Sequence, residues 1–232
     1  MSIDIPLAEK NYTLNSSKII ALGLNYLDHI KESRSVDVSN FTDKIPKEPV
    51  LFSKTPNVLI GNGDNIIIPE FLKEYDFDNC RVDYEGELAF IIKKRCKNVS
   101  KANALDYILG FTCMNDVSQR NFQRNDKSGW FRGKSLDTFG PIGPKIVPVN
   151  EIGDPQNLKI ESRLNGKVVQ SSNTKYMIFK IPEIIAFVSK NFTLEADDII
   201  LTGTPSGVGP IKPTDTVEIE IENIGILRNP VV

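Results

Sequence analysis

The 232-residue chain contains a single histidine, His29, and only three cysteines. A zinc site built from several histidines is therefore excluded, because such sites take their ligands mainly from histidine and cysteine. Cys80, Cys96 and Cys113 form no CxxC pair and leave an odd count. This pattern predicts reduced thiols in a cytoplasmic protein rather than a disulfide framework.

The sequence also lacks a strong net charge and a long apolar run. The formal net charge is −2, so nothing favours nucleic acid or an anionic membrane as a partner. No apolar run reaches the ~18 residues that a membrane span requires. Residues 1–12 lack the basic-then-apolar order of a signal peptide. We therefore expect a cytoplasmic protein with neither a nucleic-acid nor a membrane partner.

No internal repeat, low-complexity tract or Gly/Ser-rich or Pro-rich linker divides the chain. Its length suits one domain with a sizeable core, and we predict a lead-in segment over 1–18 and a single main domain over 19–232. Residues 82–95 are predicted as one long strand, 158–174 as a hairpin turning at Asn165-Gly166, and 180–194 as the strongest helix. The whole pattern predicts a strand-rich α+β fold with mixed or antiparallel sheet.

The stretch VDYEGELAFII, residues 82–92, places acids at every second position of an apolar strand. Alternate side chains of an extended chain share one face, and two carboxylates ~5 Å apart repel by roughly 3 kcal/mol at an effective dielectric of ~20. A solvent-exposed face would relieve this repulsion, but the flanking apolar residues predict burial around Glu85 and Glu87. Asp116 follows a second apolar strand. Three converging carboxylates would form a site for a hard cation such as Mg²⁺ or Mn²⁺.

Eight stretches from about residue 22 to the C-terminus resemble, in order, the short form of the fumarylacetoacetate hydrolase family. They are LNYLDHIKE, LFSKTPN, VDYEGELAFII, GFTCMNDVSQRNFQ, RGKSLDTFGPIGP, NTKYMIF, LTGTPSGVG and IENIGILRNPV. The resemblance implies a mixed β-roll with a few short peripheral helices, so that 19–232 would be the catalytic domain. It also implies a homodimer and a divalent metal, Mg²⁺ or Mn²⁺ with Ca²⁺ as a further option.

The resemblance assigns a role to nine residues. The metal ligands are Glu85, Glu87 and Asp116; the catalytic residues are His29, Glu32 and Lys134; the substrate-binding residues are Arg120, Gln123 and Thr204. His29 and Glu32 match an HxxE pair that activates water in the hydrolases of the family. Lys134 matches a lysine that polarises substrate oxygens near the metal.

The implied reaction is the metal-dependent hydrolysis of a C–C bond in a β-diketo or 2-oxo acid, of the acylpyruvate or fumarylpyruvate type. Two alternatives use the same metal and enolate chemistry, and both belong to the degradation of aromatic compounds. They are decarboxylation of an oxaloacetate-like acid and isomerisation of a 2-hydroxy-diene dioate. A non-catalytic protein that binds a metal or a carboxylate is an alternative of a different class.

Two features of the chain depart from the family pattern. Asn121 stands where the pattern Arg-Asp-Leu-Gln has its aspartate, and we expect this change to alter an ion pair under the site. The segment EFLKEYDFDNC, residues 70–80, is longer than in many relatives. We expect it to reshape a loop at the rim of the site.

Overall fold

A computed structural model describes residues 2–29, 45–127 and 130–232. The strands are β1 (Ile3–Leu7), β2 (Lys10–Leu14), β3 (Ile19–Gly23), β4 (Val50–Lys54), β5 (Leu59–Ile60), β6 (Val82–Tyr84), β7 (Gly86–Ile92), β8 (Ile108–Asn115), β9 (Ser118–Gln119), β10 (Gly140–Pro148), β11 (Lys159–Leu164), β12 (Lys167–Asn173), β13 (Ile199–Leu201), β14 (Gly209–Pro210), β15 (Thr216–Ile221) and β16 (Gly225–Pro230). The α-helices are α1 (Arg120–Asn125), α2 (Phe131–Lys134) and α3 (Ile181–Asn191), and 3₁₀ helices span Pro56–Val58, Glu70–Glu74, Lys101–Tyr107 and Thr174–Tyr176. The predicted strand-rich α+β class is confirmed.

The strands of these ranges form three sheets. The largest is mixed, with strand order β2-β1-β10-β8-β7-β13-β3-β4, and β5 also pairs with β10. Within it β1 and β5 run parallel to β10, and β3 runs parallel to β13. A second, antiparallel sheet has the order β12-β11-β15-β16, and a small third sheet has the order β14-β6-β9. The mixed sheet architecture implied by the family resemblance is confirmed.

Strand β7 runs through the middle of the large sheet, and all seven of its residues are buried. Its side chains alternate between two apolar clusters, as the pleat of a strand requires. Leu88 and Phe90 belong to the larger cluster, and Ala89 and Ile91 belong to the smaller one. A strand covered on both faces explains why its sequence is a nearly continuous apolar run. Glu87 shares the face of Ala89 and Ile91, so its carboxylate is held inside the fold.

The hairpin and the helix predicted from sequence patterns are both confirmed. Strands β11 and β12 pair around Asn165 and Gly166, whose φ angles are 53° and 79°. Positive φ at both central residues is the geometry that a two-residue hairpin turn prefers. Helix α3 buries Ile184, Ile185 and Val188, because residues three and four apart lie on one helical face.

The single long strand predicted over residues 82–95 is wrong, because the strand breaks at Glu85. Strand β6 pairs with β9 and β14 in the small sheet, whereas β7 pairs with β8 and β13 in the large sheet. At the break, the N–H of Glu85 donates to Asn115 Oδ1 at 2.9 Å, and the C=O of Glu85 accepts from the N–H of Asp116 at 2.8 Å. These two hydrogen bonds hold Glu85 and Asp116 side by side.

The first strands of the chain belong to the large sheet. Strands β1 and β2 form an antiparallel hairpin, and β1 continues the sheet through the parallel register of Leu7 with Ile146. Ile5 and Leu14 of this hairpin are buried in the smaller apolar cluster. Residues 3–14 of the predicted lead-in segment therefore add two strands to the large sheet and two side chains to its smaller apolar cluster.

The cysteines and the helices bear on two further expectations. All three cysteines are unpaired; Cys80 is exposed, whereas Cys96 and Cys113 are buried. Their reduced state stays a prediction. Across the described ranges, every helix is too short or too polar to cross a membrane.

Candidate active site

The three predicted metal ligands converge although they come from separate parts of the chain. Glu85 lies at the bend between β6 and β7, Glu87 lies in β7, and Asp116 directly follows β8. One carboxylate oxygen from each lies within 4.8 Å of the others, and all three residues are buried. The β7–β8 register opposes Gly86 to Asn115. This register is what brings Asp116 beside the two glutamates.

Three cations contact the carboxylates of this acidic trio. Lys134 Nζ lies 2.7 Å from Glu85 Oε2 and 2.6 Å from Asp116 Oδ2. Lys54 Nζ lies 2.7 Å from Asp116 Oδ1, and Arg120 Nη2 lies 2.5 Å from Glu85 Oε1. Buried charges are costly unless they are paired in this way. The site is therefore a network of ion pairs rather than an isolated acidic cluster.

The network extends outward through Asp83. Arg120 Nε lies 2.7 Å from Asp83 Oδ2, and Arg81 Nε lies 2.7 Å from Asp83 Oδ1. Charges of opposite sign consequently alternate from the rim of the site to its interior. The order is Arg81, Asp83, Arg120, Glu85, Lys134, Asp116 and Lys54.

The surroundings of Glu85 and Glu87 drive the pKa values of these two carboxyl groups apart. Burial raises the pKa of Glu85, but Arg120 and then Lys134 outweigh it and hold this pKa below its ordinary value. Burial raises the pKa of Glu87 well above its ordinary value, and the negative charges of Asp116 and Glu85 raise it further. Glu85 is thus held ionised, whereas Glu87 retains a proton to higher pH.

The two buried lysines have opposite pKa shifts for a similar reason. Burial lowers the pKa of Lys134, but attraction by Asp116 and Glu85 outweighs burial and raises the pKa above its ordinary value. Burial lowers the pKa of Lys54 as well; attraction by Asp116 opposes this effect, and repulsion by Lys134 adds to it. The pKa of Lys54 therefore lies below its ordinary value, whereas that of Lys134 lies above it.

The donor set of the trio fits a hard divalent cation. Carboxylates supply the oxygen ligands that Mg²⁺ and Mn²⁺ prefer. Asp116 is buried, and its Oδ1 lies 2.7 Å from Lys54 Nζ. The N–H of Gly203 donates to Glu87 Oε2 at 2.7 Å and orients that carboxylate. Three buried carboxylates with oxygens within 4.8 Å of one another are an arrangement that can hold such a cation.

An open pocket of about 690 Å³, its mouth included, leads to this site. Seven of the nine predicted site residues line it: His29, Glu85, Glu87, Arg120, Gln123, Lys134 and Thr204. Asp116 lies behind the lining and joins the site through its contact with Lys134. His29 is 9% exposed and close enough to Glu85 to interact electrostatically. Glu32 lies outside the described residues.

The predicted substrate-binding residues are held by protein groups at the pocket wall. Arg120 Nη1 donates to Gln123 Oε1 at 2.8 Å, so these two side chains of α1 hold each other in position. Thr204 Oγ1 donates to the C=O of Gly86 at 2.9 Å and accepts from Gln170 Nε2 at 2.9 Å. These contacts fix the side chains in place, and their role toward a ligand stays a prediction.

An aromatic pair forms a further part of the pocket lining. The rings of Trp130 and Phe52 meet edge to face with centroids 5.0 Å apart. Gly23 makes room for the indole, because a Cβ at this position would lie 2.9 Å from the Trp130 ring. Lys134 Nζ lies 4.9 Å from the centroid of the Phe52 ring. An apolar wall beside a cation excludes water and strengthens the electrostatic interactions of the site.

Lys54, Arg81 and Asp83 are site residues that the sequence analysis missed. Lys54 ends strand β4 and is 1% exposed, and lysine is almost never fully buried unless it is paired. A lysine at the end of an apolar strand, in LFSKTPN, was the available signal. Asp83 is the first of the alternating acids in VDYEGELAFII, but its pairing with Arg81 and Arg120 depends on the tertiary structure, and Arg81 had no signal in the sequence.

Comparison with known proteins identifies the family of the chain. The family model described as fumarylacetoacetate (FAA) hydrolase C-terminal matches residues 18–232. The mitochondrial oxaloacetate tautomerase Fahd2a of Rattus norvegicus is 42% identical over 222 residues, which cover 93% of this chain and 66% of that protein.

Two solved structures resemble the fold. The 2-hydroxyhepta-2,4-diene-1,7-dioate isomerase from Mycobacterium marinum is 38% identical with a TM-score of 0.80, over 97% of this chain and 81% of that chain. The fumarylpyruvate hydrolase from Pseudomonas aeruginosa, solved with Mn²⁺ and pyruvate, has a TM-score of 0.87 over 100% of this chain and 96% of that chain. At 23% identity, this second likeness concerns the fold alone. The chain belongs to the fumarylacetoacetate (FAA) hydrolase C-terminal family of enzymes.

Proposed function

We propose that the protein is a divalent-metal-dependent enzyme that interconverts the keto and enol forms of an oxaloacetate-like 2-oxo acid. The observation that carries the proposal is the position of Lys134, which joins two carboxylates of the buried trio in a pocket that also contains His29. A relative named as an oxaloacetate tautomerase, at 42% identity, supports this choice among the reactions of the family.

The roles of the residues follow from their charges and positions. Glu85, Glu87 and Asp116 would hold the cation, which when bound supplies Lewis-acid polarisation of the carboxylate and 2-oxo oxygens of the ligand. Lys134 stays protonated and stabilises the negative charge that develops on the 2-oxo oxygen. His29 takes a proton from C3 of the acid and delivers one to that oxygen, so the composition of the ligand is unchanged.

A second candidate is the hydrolysis of a C–C bond in an acylpyruvate or fumarylpyruvate, which the HxxE pattern of His29 and Glu32 favours. In this reaction His29, assisted by Glu32, takes a proton from water as the water oxygen attacks the distal carbonyl. The C–C bond then breaks, Lys134 stabilises the charge on the departing enolate, and His29 returns its proton to that enolate to give the 2-oxo acid. Decarboxylation of an oxaloacetate-like acid is the third outcome of the same site. In each case the expected partners are a small 2-oxo acid and a second copy of the chain.

Product analysis separates these candidates. Oxaloacetate, acetylpyruvate and fumarylpyruvate are incubated with the protein and Mg²⁺ or Mn²⁺, the loss of enol absorbance is followed against an enzyme-free blank, and the products are weighed by mass spectrometry. An unchanged mass with accelerated loss of enol supports tautomerisation, cleaved acids support hydrolysis, and released carbon dioxide supports decarboxylation.

Two variants test the assigned residues in the same assay. His29→Ala and Lys134→Met should each lower kcat/KM at least about 100-fold, the range expected for a lost acid–base or electrostatic group. Lys101→Met, a change at an exposed lysine, serves as the matched control and should leave kcat/KM unchanged. Full activity after exhaustive chelation, or in both His29→Ala and Lys134→Met, would overturn the proposal.

A further inference from the structure

The segment ahead of strand β6 builds an aromatic cage around the buried side chain of helix α1. That side chain is Phe122. Its ring centroid lies 4.9 Å from that of Tyr75, 5.7 Å from that of Phe77 and 6.4 Å from that of Phe71. Tyr75 and Phe77 also stack on each other at 5.2 Å. A helix of six residues has little stability of its own, so this cage anchors α1.

Arg132 of helix α2 closes the cage. Its guanidinium carbon lies 3.7 Å from the centroid of the Phe122 ring and 5.1 Å from that of the Tyr75 ring. Arg132 Nη2 also donates a hydrogen bond to the Tyr75 hydroxyl. A guanidinium at these distances attracts both rings. Arg132 therefore connects α2 to α1 and to the segment of residues 70–77.

Helices α1 and α2 also touch directly at Gly133. A Cβ at this position would lie 2.7 Å from the backbone oxygen of Gln119 and 2.8 Å from the backbone nitrogen of Gln123. Glycine is therefore required for the close approach of the two helices. Because Lys134 follows Gly133 directly, the same contact fixes the distance between Lys134 and the residues of α1.

Asn121 ties the end of the segment to helix α1. Its Oδ1 accepts from the N–H of Arg81 at 2.9 Å, and its Nδ2 donates to the C=O of Asn79 at 2.9 Å. The structure has uncharged hydrogen bonds at this position, and the expected effect on an ion pair stays a prediction. The segment 70–80 is thus attached to α1 at Phe122 and again at Asn121.

We propose that this cage positions the ligand-binding groups of α1, with Arg132 and Tyr75 as the positioning residues. Arg120 and Gln123 lie on either side of Phe122 in the chain, and both line the pocket. The metal trio is held instead by β7, β8 and the bend before β7. Helix α1 contacts the trio through Arg120 at Glu85, whereas Arg120 and Gln123 both face the ligand pocket, so loosening the cage weakens the binding of an anionic ligand more than it changes the affinity for the cation. The inference rests on the proposed function and on the predicted role of Arg120 and Gln123 in binding the 2-oxo acid.

Oxalate, a stable analogue of the chelating end of a 2-oxo acid, is the probe. Calorimetry measures its binding to the Mn²⁺-loaded protein, and a separate titration measures Mn²⁺ binding alone. Arg132→Met should weaken oxalate binding about three- to tenfold, the range expected for a half-exposed cation–π contact and its hydrogen bond. Arg132→Lys should recover part of this loss, because an ammonium retains the attraction to the rings but not the hydrogen-bonding fork. The Mn²⁺ dissociation constant should change less than about twofold.

Controls separate positioning from general damage. Arg228→Met removes an exposed arginine of β16 that pairs with Glu218, and it should leave both titrations unchanged. Tyr75→Phe removes only the hydroxyl that Arg132 contacts; it should weaken oxalate binding less than Arg132→Met does, and it replaces that variant if Arg132→Met fails to fold. In turnover, KM should rise in the cage variants while kcat stays within about twofold.

Two results would overturn the inference. One is oxalate binding by the folded cage variants that equals that of the wild type. The other is a loss of Mn²⁺ affinity that parallels the loss of oxalate affinity, since the cage would then support the whole site. Wild-type protein that binds Mn²⁺ but no oxalate would overturn the proposed function itself, on which the inference rests.

Discussion

Replacing Lys134 with methionine removes the cation that joins two carboxylates of the acidic trio. The lysine Nζ lies 2.7 Å from Glu85 and 2.6 Å from Asp116, and the three side chains are 2%, 6% and 0% exposed. Removing one partner of a buried ion pair costs about 3–5 kcal/mol when the remaining charge stays buried without compensation. Arg120 still contacts Glu85 and Lys54 still contacts Asp116 in the variant, so we expect Lys134→Met to lower the free energy of unfolding of the metal-free protein by about 3 kcal/mol, the lower end of this range.

A divalent cation should restore much of that loss. Mn²⁺ brings positive charge to the same carboxylates, and in the variant it no longer meets the repulsion of the ammonium. At a free concentration one hundred times the dissociation constant, binding stabilises the folded state by about 2.7 kcal/mol. Each tenfold decrease in that constant adds about 1.4 kcal/mol. At a fixed Mn²⁺ concentration, the variant should therefore gain more stability than the wild type.

Urea unfolding at pH 7, with either EDTA or Mn²⁺ present, measures both effects. The matched control is Lys101→Met. Lys101 Nζ also lies 2.7 Å from a carboxylate, that of Glu183, but these side chains are 64% and 37% exposed. An exposed pair contributes only about 0.2–1 kcal/mol. Equal losses in the two variants, or an equal gain from Mn²⁺ in Lys134→Met and the wild type, would refute the reasoning.

Three further changes test the site and the core. Burial and the charges of Asp116 and Glu85 raise the pKa of Glu87 well above 4.5. The folded state then binds more protons than the unfolded state, so the metal-free protein should lose stability as pH rises above about 4.5. Urea unfolding across pH should show this slope flattened in Glu87→Gln, and an unchanged slope would contradict the shift. Gly203→Ala should weaken Mn²⁺ binding about 10- to 100-fold, because φ at Gly203 is 91° and the new Cβ would lie 2.8 Å from Asn25 Cβ. A wild-type affinity measured by calorimetry would exclude a role for Gly203 in orienting the Glu87 carboxylate. Phe90→Ala, at a fully buried position of β7, should lower the free energy of unfolding by about 3–5 kcal/mol, and a loss below about 1 kcal/mol would contradict the packing.

Elements whose signals are local in the chain could be predicted from the sequence. The recurrence of Ile184, Ile185 and Val188 specifies one face of α3, and Asn165-Gly166 supplies the positive φ angles of a hairpin turn. The break at Glu85 could not be predicted in this way. It depends on β6 pairing with β9 and β14 while β7 pairs elsewhere, and these partners lie far along the chain.

In the candidate site, too, the sequence predicted what depends on local patterns, and the tertiary structure decided the rest. The spacing of Glu85 and Glu87 in an apolar stretch indicated a cation site, and the family resemblance named Asp116 and Lys134. The structure brings these four residues together. Neither the spacing nor the resemblance identified Lys54 as the second cation on Asp116, and neither revealed that Phe122 anchors the helix beside the site.

By itself, the sequence determined the strand-rich class, the family and the residue types of a hard-cation site, because periodicity, turn chemistry and ordered motifs are properties of neighbouring residues. Only the tertiary structure decided which charges pair, which glutamate retains its proton and which helix the segment 70–80 supports. The physical reason is that electrostatic and packing energies depend on distance and burial. Both are set where strands and helices from distant parts of the chain meet.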